Sequence, residues 1–243
     1  MKYRDPREKL VAFNQHNRDQ WVIGIAERLP RDTHILDLGA GETRYRRLFK
    51  HCDYKAQDFA KYQGVLEGVL KEDWNYGQLD YVCDASAIPV ADNSFDAVLC
   101  TEVLEHVPQP IKVLKEIGRI LRKDGRAFIS APLGSGLHQQ PYHFYGGFTP
   151  HFYNRFLREF GFEIVSIDPN ARFFGMLLQE MRRGIGIVQA HRQYPLWHPI
   201  RWLLRVASSH NVARWLMRLD VEIPIDEFTV GYHVEAIKIT DSI

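Results

Sequence analysis

The sequence predicts a doubly wound α/β fold with a mostly parallel sheet and a helical insertion before its last strand. Short apolar runs alternate with amphipathic segments up to about residue 170, as β–α–β units do. The first run, Ile35-Leu-Asp-Leu-Gly-Ala-Gly41, ends in two glycines, a turn where backbone can approach a ligand because no Cβ intervenes. A third stretch, about residues 171–225, is helical by pattern. From Arg172 to Arg218 it holds eight arginines, no lysine and one acid, Glu180.

The chain has 243 residues, 45% hydrophobic and 25% charged, the ordinary balance of a globular protein with one elaborated domain. Its net charge of +1 offers no global attraction for a polyanion, so no nucleic acid is expected as a partner. That neutrality hides a division. The 172–218 segment carries +7 (eight arginines less one glutamate), so the remainder carries −6. Cys52, Cys83 and Cys100 lie far apart, beside or within apolar runs, and read as buried thiols rather than a disulfide framework. No apolar signal core follows the first residues, and no run reaches the ~20 apolar residues of a spanning helix. A cytoplasmic protein is the expectation.

The elements follow in order. Residues 6–29 carry Leu10, Phe13, Trp21, Ile25 and Leu29 among charges, the pattern of one or two amphipathic helices. Residues 33–38 form the first strand, 42–50 the first crossover helix, and a short second strand ends near Asp58. Residues 59–78 are irregular, with Trp74 and Tyr76 in an aromatic cluster. Tyr81 to Cys83 is the third strand, stopped by Asp84, and Phe95 to Cys100 the fourth. Ile111, Val113, Leu114, Ile117, Ile120 and Leu121 keep a helical period over residues 109–121. Lys123-Asp124-Gly125 ends that helix before a fifth strand, Arg126 to Ala131. Thr149-Pro150 suits an N-cap followed by proline at N1, opening a helix to residue 160. Gly161 ends it, and Phe162 to Ile167 is the next strand. Residues 228–239 alternate like a half-exposed strand that closes the sheet. Four segments result: an N-terminal helical cap (1–30), the α/β core (31–170), the arginine-rich insertion (171–225) and the final strand (226–243).

A dinucleotide fingerprint needs a third glycine where this chain has Arg44. Glu42 would repel phosphate, but not a ligand carrying an amino group and a sulfonium. Asp58 stands 21 residues after Asp37, where a carboxylate can accept ribose hydroxyls. Asp84, followed by Ala85-Ser86, can accept an adenine amino hydrogen. Each acid has a plainer reading: a helix cap for Asp37, a surface acid for Asp58, an Asx turn for Asp84.

Together with Phe95-Asp-Ala-Val-Leu-Cys-Thr-Glu-Val-Leu-Glu-His-Val107 and the Gly125-Arg126 and Gly161-Phe162 turns, these residues resemble the class I S-adenosylmethionine-dependent methyltransferases. The similarity covers about residues 30–170 and the terminal strand, and lies with the small-molecule branch that carries the Leu-Glu-His signature. It implies a seven-stranded Rossmann-like methyltransferase fold, S-adenosyl-L-methionine as cofactor and a small-molecule acceptor. It also implies that Asp37, Gly39, Ala40 and Gly41 frame the methionine part, Asp58 and Phe59 serve the ribose, Asp84 and Ala85 serve the adenine, and Thr101 and Glu102 form the floor.

The acceptor side is less defined. By resemblance His106 faces the methyl donor and could act as a base, or bond a neighbouring backbone group. His138, Tyr142, His143 and Tyr145 follow the fifth strand at the same sheet edge, where they either contact substrate, with His143 a second candidate base, or form a polar loop with stacking aromatics. His138, His143 and His151 are spaced five and eight apart, which fits no zinc pattern, so no metal is expected. In the insertion, residues 196–219 read as one helix with Leu196, Ile200, Leu203, Leu204, Ala207, Trp215 and Leu219 on one side and arginines flanking. It is a lid, a homodimer interface, an arginine site for a phosphate-bearing substrate, or a peripheral membrane contact through tryptophan and arginine. The acceptor could be a sugar, a glycan precursor or a lipid-linked or phosphate-bearing compound. A catalytically silent cofactor-binding scaffold and an RNA methyltransferase are the competing readings.

Overall fold

The computed structural model describes residues 12–62, 75–190, 199–207 and 209–240. The elements in order are α1 (Phe13–Arg28), β1 (His34–Leu38), β2 (Asp53–Asp58), β3 (Tyr81–Val82), β4 (Phe95–Thr101), α2 (Pro110–Ile120), β5 (Leu121–Pro132), α3 (Pro150–Glu159), β6 (Phe162–Pro169), α4 (Phe173–Ala190), α5 (Pro199–Ala207), α6 (His210–Glu222) and β7 (Gly231–Lys238). The chain divides into two compact units. The larger holds residues 19–168 and 231–243, the smaller residues 1–18 and 169–230.

The larger unit is built on a seven-stranded sheet of order β3-β2-β1-β4-β5-β7-β6. The pairs β1–β2, β1–β4, β2–β3 and β4–β5 are parallel, and β7 runs antiparallel to β5. Strand order reverses between β1 and β4, and in such sheets the crevice outside the carboxyl ends at that reversal takes the ligand. Ile35, Leu36, Leu38, Ala97, Val98, Leu99 and Cys100 are wholly buried, because a central parallel strand is covered on both faces. Helix α2 buries Val113, Leu114, Ile117 and Ile120, spaced three and four apart, against this core. Helix α3 opens as expected. Thr149 Oγ1 accepts the Phe152 N–H at 3.4 Å, Pro150 takes N1, and Gly161 at φ 81° ends the turn.

Three expectations are corrected. The first crossover, residues 42–50, is not an α-helix. Gly41 and Thr43 both adopt left-handed backbone, so the chain turns, and only Arg46–Phe49 make a single 3₁₀ turn. Lys123-Asp124-Gly125 does not separate α2 from β5. Leu121 already pairs with Phe95, and the tripeptide forms a bulge before Arg126 resumes pairing at Ala97. Strand β7 is not half-exposed, because it lies between β5 and β6 rather than at an edge. Its polar positions meet partners instead of water. His233 stacks on Trp21 with ring centroids 4.6 Å apart, and Glu235 pairs with Arg28 at 3.1 Å. Lys238 Nζ donates to Asn93 Oδ1 (2.9 Å) and the Leu121 carbonyl (2.6 Å).

In the smaller unit α4, α5 and α6 surround Phe13, Ala171, Leu178, Ala213, Leu216 and Val230. Asp220, buried, accepts the Arg172 and Gly175 N–H groups (2.7 and 2.8 Å) and so satisfies the open end of α4. The segment read as one helix over 196–219 is two. Ser209 is extended (ψ 155°) between α5 and α6, consistent with serine's preference for breaks and caps. Leu196 and Trp197 lie outside the described residues, as does Trp74. Cys100 is buried and Cys52 and Cys83 half-buried, all as free thiols. Among the described residues no helix is long and apolar enough to cross a membrane.

Truncating Leu99, wholly buried on the central β4, is expected to cost about 2–5 kcal/mol. Urea unfolding of Leu99→Ala, read as a lowered midpoint at constant slope, checks this.

Candidate active site

The glycine turn leaves β1 at the sheet's reversal point. All three of its successive backbone donors are accepted by the end of β2. The Gly39 N–H donates to Gln57 Oε1 (3.1 Å), the Ala40 N–H to the Gln57 carbonyl (2.9 Å), and the Gly41 N–H to Asp58 Oδ2 (2.9 Å). Gly39 sits at φ 70° and a Cβ there would overlap Val103 Cγ2, so glycine is required twice over. A phosphate-binding loop presents such N–H groups to its ligand; here they are spent inside the protein. Arg44, the cation nearest the turn in sequence, is drawn to Asp19 at 2.8 Å, and Asp19 also accepts the Tyr45 hydroxyl at 3.1 Å. Among the described residues no α-helix follows the turn directly, so no helix N-terminus lies immediately behind it.

The strand-end acids differ in environment. Asp37 is buried and accepts the Tyr54 hydroxyl. Burial pushes its pKa up to about 7 against the opposing Tyr54 hydrogen bond, with Asp58 adding repulsion. Asp58 is also raised by burial, while the Ala60, Gly41 and Phe59 amides pull the other way. Its Oδ2 accepts the Gly41 N–H and its Oδ1 the Ala60 N–H, both at 2.9 Å. Asp84 is exposed, and its Oδ1 accepts the Ser86 N–H (2.8 Å) and hydroxyl (2.7 Å), the geometry of an Asx turn. Ala85 beside it is buried.

At the end of β4, Glu102 adopts φ 54°, a strained conformation for a glutamate. It is held by its N–H on the Ser130 carbonyl (2.8 Å) and its carboxylate on the Ser130 hydroxyl (2.8 Å). Thr101 ends the strand in register with Ser130. His106 follows in a 3₁₀ turn, Leu104–His106, rather than on the strand itself. Its Nδ1 lies 2.6 Å from the Tyr142 carbonyl, which fixes Nδ1 as the donor and leaves the Nε2 lone pair for a ligand.

The loop after β5 comes back over this point. The His106, His138 and His143 rings lie 4.4–5.7 Å apart, centroid to centroid. His138 Nδ1 lies 2.9 Å from the Gly136 carbonyl and His143 Nε2 3.1 Å from the Ser135 hydroxyl. Burial and the other two imidazoles push His106 down to about 4, and burial with His138 lowers His143. Tyr142 packs edge-on against Phe59 at 4.9 Å, tying the loop to the end of β2. Tyr145 stands outside the group, exposed, with its hydroxyl on the Pro108 carbonyl at 3.1 Å. His151, grouped by sequence with His138 and His143, is exposed on α3; His106 takes that place. Glu105, buried, brings Oε1 to 3.7 Å from His106 Nε2. Ligating atoms of Glu105, His106 and His138 lie within 4.8 Å of one another, a looser limit than the about 4.2 Å spanned by two ligands of one zinc ion.

Sequence reasoning missed Gln57, Tyr54, Val103, Glu105 and Ser135. Gln57 carried a readable signal: a polar residue inside a buried parallel strand needs partners. It has them, with Nε2 on the Cys83 carbonyl at 2.7 Å, linking β1, β2 and the end of β3.

Known proteins resemble this chain in sequence and fold. Residues 36–129 match the methyltransferase domain family. The sarcosine/dimethylglycine N-methyltransferase of Halorhodospira halochloris is 25% identical over 206 residues, 78% of this chain and 74% of that protein. The ubiquinone/menaquinone biosynthesis C-methyltransferase of Desulfotalea psychrophila is 30% identical over 126 residues, half of each chain. Among solved structures, phosphoethanolamine N-methyltransferase 2 of Haemonchus contortus with S-adenosyl-L-methionine shares the fold at a TM-score of 0.53 and 15% identity, covering 92% of this chain and 53% of that one. The fold and the match of residues 36–129 to a methyltransferase domain support an S-adenosylmethionine-dependent methyltransferase of class I.

Two outcomes follow from the geometry. Gly39→Ala should destabilise the fold by about 1–3 kcal/mol, measurable by denaturant unfolding, because it adds strain to overlap. Asp37, near 3.8 when unfolded and about 7 when folded, keeps a proton that the unfolded chain releases. Its stabilisation is complete below about pH 4 and is lost as pH rises towards 7. Unfolding measured from pH 4 to 8 should therefore show a shallower decline for Asp37→Asn than for the parent.

Proposed function

We propose that this methyltransferase methylates a hydroxyl or amine of a small molecule, with the imidazoles beside β4 receiving the acceptor's proton. The observation that carries this is the cluster of His106, His138 and His143, assembled from two separate segments at the carboxyl end of β4. The relative that spans most of the chain is named for the amine acceptors sarcosine and dimethylglycine, which supports nitrogen or oxygen chemistry. A sugar, a glycan precursor or a lipid-linked or phosphate-bearing compound fits the same chemistry.

S-adenosylmethionine supplies an electrophilic methyl group on a sulfonium. The residues present fit it: a turn with its N–H groups already satisfied has no use for a phosphate, and the acids around it favour a cationic ligand. Asp37, Gly39, Ala40 and Gly41 take the methionine part. Asp58 serves the ribose, with Phe59 alongside. Asp84 and Ala85 serve the adenine, and Thr101 and Glu102 line the floor.

The two candidate bases divide. A histidine near pKa 4 is a poor proton acceptor at neutral pH, so His106 orients the acceptor through Nε2. His143, more accessible and tied to Ser135, takes the proton. The protein's main contribution is to hold acceptor and methyl group in line.

The test is calorimetry with S-adenosylmethionine followed by turnover on acceptor pools. Asp58→Ala should weaken cofactor binding about 10- to 100-fold. His143→Asn should lower kcat by about 10²–10⁴ without altering cofactor affinity, whereas His106→Asn should act mainly on KM for the acceptor. Cofactor binding with no turnover on any hydroxyl or amine would favour the silent scaffold instead.

A further inference from the structure

In the smaller unit, α5 and α6 turn outward the side chains that a soluble helix usually hides. Trp202, Leu203 and Val206 on α5 are 65%, 59% and 44% exposed, and Trp215 on α6 is 58% exposed. Residues 202, 203 and 206 are one and four positions apart, so they share one side of α5, and Arg205 flanks them. On α6, Arg214 and Arg218 are exposed beside Trp215, Arg214 donating to Asn211 Oδ1 at 2.9 Å and Arg218 pairing with Glu222 at 2.6 Å. Residues 199–218 contain four arginines and no acid. The buried side of α6 is accounted for separately by Ala213, Leu216 and Asp220. Trp215 is therefore not misplaced core.

We propose that the outward side of α5 and α6 is a docking surface for an anionic lipid bilayer. Each residue type has its place in such an interface. Tryptophan settles at headgroup level with its ring half-immersed. Leu203 and Val206 enter the acyl boundary, while guanidinium groups pair lipid phosphates with two parallel N–H donors. A second copy of this chain fits worse. A two-fold interface sets the same patch against itself, here arginine against arginine. A nucleic-acid backbone would use the arginines but leave Leu203 and Val206 exposed. Since no described helix can span a bilayer, the association is with its surface. The inference does not depend on which acceptor is methylated.

The experiment is co-sedimentation of the full chain with vesicles of phosphatidylcholine alone or containing about a third phosphatidylglycerol, at low and high salt. Binding should require the anionic lipid, weaken with salt, and blue-shift tryptophan emission. Trp202→Glu combined with Leu203→Glu should reduce partitioning at least about tenfold. Arg205→Gln and Arg214→Gln should each reduce it about fivefold. S-adenosylmethionine binding, retained in every variant, confirms that the larger unit is folded. Equal binding to both vesicle types, or undiminished binding of the Trp202/Leu203 variant, overturns the proposal. So does a dimer that those substitutions abolish while vesicles stay unbound, or capture of a homopolymer RNA in preference to vesicles.

Discussion

The last two residues of β2 decide what the turn after β1 can bind. Gln57 and Asp58 take all three backbone donors of Gly39, Ala40 and Gly41. That fixes two left-handed glycines, on either side of Ala40, in one of the many shapes open to them. It also removes the donors that a pyrophosphate would need. The shape of the turn is thus written as much in β2 as in the glycines. Gln57 extends the brace to the Cys83 carbonyl, so three strand ends move together.

Much of the larger unit was legible because its signals are local and strong. Period-3.6 burial in α2, the Thr149-Pro150 start of α3 and the acid ending each early strand are decided within a few residues. What failed was decided at a distance. Residues 42–50 carry no helix breaker beyond Gly41, yet Arg44 is claimed by Asp19 from α1, and Arg46 by the Gln78 carbonyl at 2.6 Å. Tertiary contacts overrode a helical pattern. The alternation of β7 suggested one wet face; instead Trp21, Arg28, Arg126 and Asn93 meet its polar side chains, and nothing in residues 228–239 announces those partners.

The candidate site divides in the same way. Asp37, Asp58 and the glycines could be named because each ends a strand. The histidines could be named but not grouped. His106 and His138 are 32 positions apart, and only the fold of the loop after β5 decides that they touch while Tyr145 stands off. Their mutual proximity also sets their chemistry. The neighbouring imidazoles disfavour protonation of His106, and His138 disfavours that of His143.

Strand β7 carries one more implication. It supplies the shared neighbour of β5 and β6, pairing Arg126 with Ile237, yet it follows the whole α4–α6 segment in the chain. On the ribosome, β5 must wait with one edge open while residues 133–230 are made, an interval of several seconds at about 5–20 residues per second. An unpaired apolar edge is a template for another chain. The interior placement of β7 therefore leaves the β5 edge open until residues 231–238 have been made.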